Sequence, residues 1–440
     1  MARFVEVSVS YPIPHNWKWD SIGNYTKIKS GYPFDSEKFS DDPTGRQPLI
    51  RIRDILREST NTFTDECCPE EYIIHAGDIL IGMDGDFNVG KWNSDDALLN
   101  QRVCYIQSNS NCLLNDYLYY YLPGILKIIN NATPSVTVKH LSANTLRKTQ
   151  IPLPPLAEQQ RIVDRIESLF AKLDEAKEKA QAVVDSFETR KAAILHKAFT
   201  GELTAKWREE HNISKTTWGE KKWGDFLQSI EAGKNWSAEG RPPEGTEFGV
   251  VKVSAVTWGE FDELESKTCV VAEQWNSKTQ IHKGDFLFSR ANTLQLVGNC
   301  VIVRNISKRL MLSDKILRFK FDEIAHPRFV LYFTRSRIYR EQVEQLASGN
   351  QDGMRNISQK NLKLVFFPIP TVVEQIEIIS ILDRAFAKEQ QAKEAAEAVL
   401  DEIDLMKKSI LARAFRGELG TNDPNEESAV ELLKRGLEKK

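Results

Sequence analysis

The chain has 440 residues, 41% of them hydrophobic and 28% charged, with a formal net charge of −3. That composition describes a globular protein of two to three domains and excludes a disordered or collagen-like chain. No run approaches the ~18 consecutive apolar residues of a membrane span.

The start, Met1-Ala2-Arg3-Phe4-Val5-Glu6, lacks a signal-peptide core, so a cytoplasmic location is expected. Cys67, Cys68, Cys104, Cys112, Cys269 and Cys300 form no C-x-x-C pair, and the histidines are scattered. Structural zinc needs clustered ligands, so reduced thiols and no metal are expected. The charge is uneven: −3 over residues 1–156, −1 over 157–203, +5 over 204–368, −3 over 369–419 and −1 in the tail. A basic second segment is compatible with DNA binding but does not demonstrate it.

In chain order, residues 1–154 read as a mixed segment. Gly77-Asp78-Ile79-Leu80-Ile81 is a Gly-Asp turn feeding a short buried strand. Residues Gly82 to Asn88 form a loop, closed by Val89-Gly90. Leu118-Tyr119-Tyr120-Tyr121-Leu122 predicts a helix, and Lys139-His140-Leu141-Ser142 precedes a proline-rich step.

A long helix then runs from about Leu156 to Leu203. Its apolar residues fall at Ile162, Ile166, Leu169, Leu173, Ala176, Ala180, Val183 and Phe187, and resume at Ile194 and Ala198. A mean step of about 3.5 residues is the coiled-coil period and calls for a partner helix. Pro155 suits the first helical turn, and Gly201 suits the left-handed residue that ends a helix.

Residues 204–368 repeat the first segment. Gly284-Asp285-Phe286-Leu287-Phe288 answers Gly77–Ile81, and Val297-Gly298 answers Val89-Gly90 with a loop one residue longer. Phe329-Val330-Leu331-Tyr332-Phe333 answers the tyrosine helix, and Arg355-Asn356-Ile357-Ser358 answers Lys139–Ser142. Residues 369–419 then repeat the helix. Adding 216 gives Ile378, Leu382, Ala385, Glu389, Ala392, Ala396, Val399 and Ile403, then Ile410 and Ala414, of which only Glu389 is polar. Thr371 and Glu374 have capping-box spacing, and Gly417 repeats Gly201.

The chain is therefore a tandem duplication, expected as an α+β fold with two globular parts (1–154 and 204–368), two helical stretches (155–203 and 369–419) and a tail (420–440). Two helices of about 40 residues span about 60 Å at 1.5 Å per residue. Their natural pairing is antiparallel, which relates the repeats by an approximate two-fold and suits a two-part duplex target.

Ile151-Pro152-Leu153-Pro154-Pro155-Leu156-Ala157-Glu158-Gln159 and Ala198-Phe199-Thr200-Gly201-Glu202-Leu203-Thr204-Ala205-Lys206-Trp207-Arg208 flank the first helix. Their counterparts, Pro368-Ile369-Pro370 through Glu374-Gln375 and Ser409 through Leu419, flank the second. By these motifs, over essentially its whole length, the chain resembles a specificity subunit of a type I restriction-modification enzyme. The resemblance implies two target-recognition domains reading halves of a split double-stranded DNA sequence. It also implies helical spacers that hold them apart and dock two methyltransferase subunits, with up to two motor-nuclease subunits. S-adenosylmethionine, ATP and Mg would belong to those partners and no cofactor to this chain. Glu389 on the seam and the missing Trp-Arg run after Leu419 depart from the pattern.

Catalytic motifs are lacking. Gly85-Asp86-Phe87-Asn88-Val89-Gly90-Lys91 fits a P-loop, but Trp92 stands where a magnesium-binding hydroxyl belongs. Neither an Asn-Pro-Pro-aromatic methylation motif nor a G-x-G-x-x-G loop is present, and Glu265-Ser266-Lys267 has the same form as the helical Glu175-Ala176-Lys177. A non-catalytic DNA reader is expected, rather than a freestanding methyltransferase or nuclease, or a protein-only scaffold.

Base edges are read by Arg, Asn, Gln and Lys, while phosphate contacts fix register. The candidate DNA contacts of the first repeat are Asn88, Lys91 and Arg102, with Thr133, Ser135, Thr137 and Lys139 before the helix. Those of the second are Arg290, Asn292 and Gln295, then Asn350, Gln351 and Arg355. Lys139 and Arg355 occupy equivalent places, which suggests a shared phosphate contact. Glu158, Gln159, Glu374 and Gln375 are candidates for partner docking, although a first-turn Glu also suits the helix dipole.

Overall fold

The computed structural model describes residues 10–134, 138–215, 218–351 and 354–431. Its helices are α1 (Asn115–Ala132), α2 (Ala143–Lys148), α3 (Leu156–Asp185), α4 (Phe187–Thr200), α5 (Ala205–Glu210), α6 (Pro327–Phe333), α7 (Arg337–Leu346), α8 (Gln359–Leu362) and α9 (Val372–Ala414). The fold is α+β and divides into two compact units. The first takes the chain up to Gln181 together with everything from Ala398; the second is Ala182–Glu397.

In the first unit, the strand Ile79–Gly82 is buried on both faces because the run Ile79-Leu80-Ile81 is apolar without alternation. It lies in an antiparallel sheet of order Thr26–Ser30, Val103–Ser108, Ile79–Gly82, Val89–Lys91. Side chains alternate across a strand. Ile79 and Ile81 therefore enter the core with Tyr117, Leu118, Leu122 and Ile125 of α1, while Leu80 joins Ile50, Ile55 and Trp92 on the opposite face. A second sheet, ordered Phe63–Thr64, Gln47–Ile50, Ala97–Leu99, Ile73–Ile74, has one parallel pair, Gln47–Ile50 with Ala97–Leu99.

The second unit repeats this frame. Its sheet Leu227–Ala232, Ile316–Phe321, Phe286–Ser289, Cys300–Ile302 matches the first sheet. Phe286 and Phe288 face α6 and α7, while Leu287 faces Val251, Val256 and Leu310. Phe248–Val251 runs parallel to Arg309–Met311, the counterpart of the parallel pair above. Gly77 and Gly284 take φ of 93° and 94°, and each following aspartate accepts a backbone bond, from His75 (2.8 Å) and His282 (2.9 Å). The Gly-Asp turns of the two repeats thus share one geometry.

Register corrects the loop alignment. Ile81 pairs with Val89 and Phe288 with Cys300, so Val89 corresponds to Cys300 and not to Val297. The loops between those pairs, 82–88 and 289–299, hold seven and eleven residues. The second loop is therefore longer by four residues, not one. Strand pairing, which sequence alignment cannot see, decides the equivalence.

The helical stretches pair antiparallel within each unit. In the first, Asp174 meets Lys407 (2.5 Å) and Lys177 meets Asp404 (3.7 Å). In the second, Phe187 lies under Lys393 and Arg190 bonds Glu389 (2.6 Å). The polar exception on the predicted seam therefore has a charged partner opposite it.

Two details differ from the spacing. The expected single helix over 156–203 breaks at Ser186 into α3 and α4, where the Ser186 hydroxyl donates to the Ala182 carbonyl (2.5 Å) and accepts from Arg190. Such back-bonding bends helices. Beyond Glu389 the seam takes half-buried Lys393 and Leu400, leaving Ala392 and Val399 exposed. The Lys393 ammonium sits 5.0 Å from the Phe187 ring centroid, which lays its aliphatic stem along the seam.

Candidate nucleic-acid interface

In each unit the loop after the central buried strand meets the segment that precedes a short helix, α2 in the first unit and α8 in the second. In the first unit, Gly85 (φ 77°) and Phe87 (φ 54°) shape the loop, and Phe87 anchors it by burying its ring. Asp84 bridges to His140, the Gly85 N–H donates to the Lys139 carbonyl (3.0 Å), and the Leu141 N–H donates to the Met83 carbonyl (2.7 Å). The Asp84 carboxylate accepts from Arg102 Nη1 (2.9 Å) and lies 2.7 Å from His140 Nδ1. Both basic side chains remain more than half exposed. An adjoining cleft collects Arg51, Arg53, Leu56, Asn88, Gln101 and Arg102.

In the second unit the same juncture is a three-stranded sheet: Ala291–Asn292, Met354–Asn356 and Ser348–Gln351. Asn292 pairs with Arg355, and the Ile357 N–H donates to the Arg290 carbonyl (3.0 Å). Arg355 donates to the Gly349 carbonyl (2.6 Å). Asn292 Oδ1 accepts from the Thr293 N–H (2.9 Å), and its Nδ2 donates to Thr257 Oγ1 (3.2 Å). Among the described residues Arg290 Nε is buried without a hydrogen-bond partner.

The structure thus gathers Asn88 and Arg102 in one unit, and Arg290, Asn292 and Arg355 in the other. Gln295 is exposed on the long loop, and its carbonyl accepts from Arg340 (3.3 Å). Other candidates serve the unit itself. Lys91 is held by the Asp116 carboxylate, with Tyr119 5.0 Å away, and no helix follows its loop as a P-loop requires. Lys139 Nζ donates to the Asn130 carbonyl (2.7 Å) and Oδ1 (3.0 Å), which ties down the end of α1. Thr133 Oγ1 caps the Ile129 carbonyl at 2.7 Å. Ser135 and Thr137 lie outside the described residues, as do the side chains of Asn350 and Gln351, whose backbone forms the strand Ser348–Gln351.

Asp84, His140, Arg51 and Arg53 escaped the sequence reading. His140 stood inside the Lys139–Ser142 echo, and that was the available signal. The two arginines lie on a turn remote in sequence from the loop.

The four residues expected on a docking surface are buried instead. Glu158, Gln159, Glu374 and Gln375 are all 0% exposed. Gln159 Oε1 accepts from the Leu114 N–H (2.8 Å), and its Nε2 donates to the Cys112 and Pro154 carbonyls. Gln375 repeats this with the His326 N–H (2.8 Å) and the Ile324 and Pro370 carbonyls. Glu158 accepts from Trp17 Nε1 (2.8 Å) and Asn422 (2.9 Å). Glu374 accepts from Trp218 Nε1 (2.9 Å), Thr204 (2.7 Å) and Arg208 (2.6 Å). The expected capping box is therefore half made: Thr371 Oγ1 accepts from the Glu374 N–H at 3.4 Å, while the Glu374 carboxylate turns inward.

The duplicated α+β frame thus presents two polar, arginine-bearing loop faces of different chemistry. A family model described as "Type I restriction modification DNA specificity domain" matches residues 14–184 and 215–398. The chain belongs to this family and has the character of a type I specificity subunit. It is 31% identical to the type I restriction enzyme EcoBI specificity subunit of Escherichia coli over 92% of this chain and 87% of that protein. It is 26% identical to the EcoKI specificity subunit of Escherichia coli strain K12 over 92% and 90%. Among solved structures, an HsdS subunit from Thermoanaerobacter tengcongensis shares the fold with a TM-score of 0.60 at 18% identity, over 93% of this chain and 99% of that one. A chain from a study of complex assembly in the type I restriction-modification system gives 0.62 at 19%, over 93% and 100%.

Proposed function

We propose that this chain reads a bipartite, asymmetric double-stranded DNA target, one half per unit, and docks two methyltransferase subunits. The observation carrying this reading is one frame with two different faces. Both units oppose the same two segments, but one offers Asp84, Arg102 and His140 around a seven-residue loop. The other offers Arg290, Asn292 and Arg355 around an eleven-residue loop. Scaffold positions are retained because the core requires them; faces that differ in donors and acceptors select different base edges.

The chain itself is non-catalytic in this reading. S-adenosylmethionine chemistry, and ATP- and Mg-dependent cutting where the system restricts, belong to partner subunits, and the complex works in the cytoplasm. Among the described residues no helix is long and apolar enough to cross a membrane, and no group of three His, Cys, Asp or Glu side chains is placed to hold a metal.

Arg290→Ala tests the reading. Selection from random duplexes should show lost preference, worth about 1–3 kcal/mol, at positions of one half-site while the other half is kept. Equal weakening on all DNA would put Arg290 on phosphate. Purified chain supplied with S-adenosylmethionine and DNA should transfer no methyl group, and mapping methylated adenines with and without the chain would give the target.

A further inference from the structure

We propose that Trp258 is a specificity-determining contact of the second unit, its indole set against the bases of the half-site that unit reads. The inference rests on the DNA-reading function above.

Trp258 is 77% exposed, more than any other large hydrophobic among the described residues. It follows the turn Val253–Val256, and three polar side chains hold its loop. Asn292 Nδ2 donates to Thr257 Oγ1 (3.2 Å), Asn299 Nδ2 to the Thr257 carbonyl (2.8 Å), and Arg335 Nη2 to the Gly259 carbonyl (2.8 Å). Gly259 takes φ 87°, which a side chain would resist. The indole is thus displayed from a fixed loop bonded directly to Asn292, which in turn pairs with Arg355. Met354, beside Arg355, is also exposed.

The first unit repeats the pattern. Leu56, 65% exposed, follows the equivalent turn Ile52–Asp54 and lines the cleft that holds Asn88 and Arg102. Exposed Val138 precedes Lys139 as Met354 precedes Arg355. Single exposed apolar residues are ordinary on protein surfaces. Apolar tips at the same two places on a duplicated frame, beside loops that otherwise differ, are not accounted for by chance exposure. DNA bases supply the complementary chemistry: a π-face, a thymine methyl, and a step into which an apolar wedge can lean.

The test uses the full-length chain and selection from random duplexes, with wild type, Trp258→Ala, Trp258→Phe and Leu56→Ala. Trp258→Ala should weaken binding to the wild-type target about 10- to 100-fold and erase preference within one half-site. Trp258→Phe should keep most of both, and Leu56→Ala should affect only the other half. Because the indole is exposed, Trp258→Ala should melt as wild type does. An unchanged target and affinity in Trp258→Ala would overturn the proposal, as would equal weakening on all DNA. A wild-type chain that selects no sequence gives a different result and sinks the DNA-reading function itself.

Discussion

The two units bury the same glutamate at the first turn of their long helices and neutralise it differently. In the second unit Glu374 meets Arg208 at 2.6 Å, with Trp218 and Thr204 completing its shell. In the first unit Glu158 receives Trp17 and Asn422 on one oxygen only, and among the described residues its Oε1 has no partner. The Trp-Arg run present after Leu203 and absent after Leu419 makes this difference. The tail docks instead through Asn422 and through Glu426, which accepts a two-pronged contact from Arg161 at 2.9 and 2.7 Å. Burial raises the Glu158 carboxyl above its ordinary range, against the opposing bonds of Trp17 and Asn422. A duplicated fold can therefore keep a buried acid while changing how its charge is met.

The largest effect should come from Arg208→Ala. It leaves Glu374 buried without its counter-charge and should cost about 3–5 kcal/mol, read as faster hydrogen exchange confined to the second unit. If the first unit loosened equally, the two glutamate sites would not be independent.

Phe199→Ala and Phe415→Ala should cost similar amounts, about 3–5 kcal/mol each. Phe199 packs on Phe329 and Phe333 at 5.3 and 5.2 Å between centroids, and Phe415 on Tyr117 and Tyr121 at 5.2 and 5.0 Å. Denaturant titration that separates the two costs by several kcal/mol would show that the repeats are not energetically equivalent.

Glu158→Gln should stabilise the first unit by about 1 kcal/mol at neutral pH, since Gln keeps an acceptor and removes a poorly compensated charge. The sign follows from linkage. A carboxyl raised on folding holds its proton in the folded state where the unfolded chain has already lost it. Its favourable contribution is full below the ordinary value of 4.5 and declines as pH climbs through the raised value. Wild type should therefore lose melting temperature relative to Glu158→Gln as pH rises from about 4.5. Parallel curves would contradict the assignment.

Glu389→Leu should change stability least, by no more than about 1 kcal/mol, because the pair with Arg190 is partly exposed. Thermal melting of that single variant suffices.

The duplication, the Gly-Asp turns, the doubly buried strands, the left-handed Gly201 (φ 80°) and Gly417 (φ 74°), and the heptad stripe were all legible in the sequence. Each is a local consequence of residue type and spacing. The seam was legible at Ala396, Ile403 and Ala414 as well, and failed only at Ala392 and Val399, where Lys393, its ammonium over the Phe187 ring, and Leu400 turn inward instead. Candidate site residues were harder. Lys91 and Lys139 have the right chemistry for DNA, but Asp116 and Asn130 claim them from positions 25 and 9 residues away.

What the sequence determined by itself is a repeated strand-and-rod unit, since hydrophobic period and glycine position act over a few residues. Only the tertiary structure decided that Cys300, not Val297, matches Val89, that the repeated Glu-Gln pairs lie inside, and that Asp84 and His140 meet in one unit and Trp258 stands beside a loop bonded to Asn292 in the other. Those outcomes depend on hydrogen bonds and charge pairs between residues far apart in the chain, and a linear pattern carries no record of which distant partner a polar group will find.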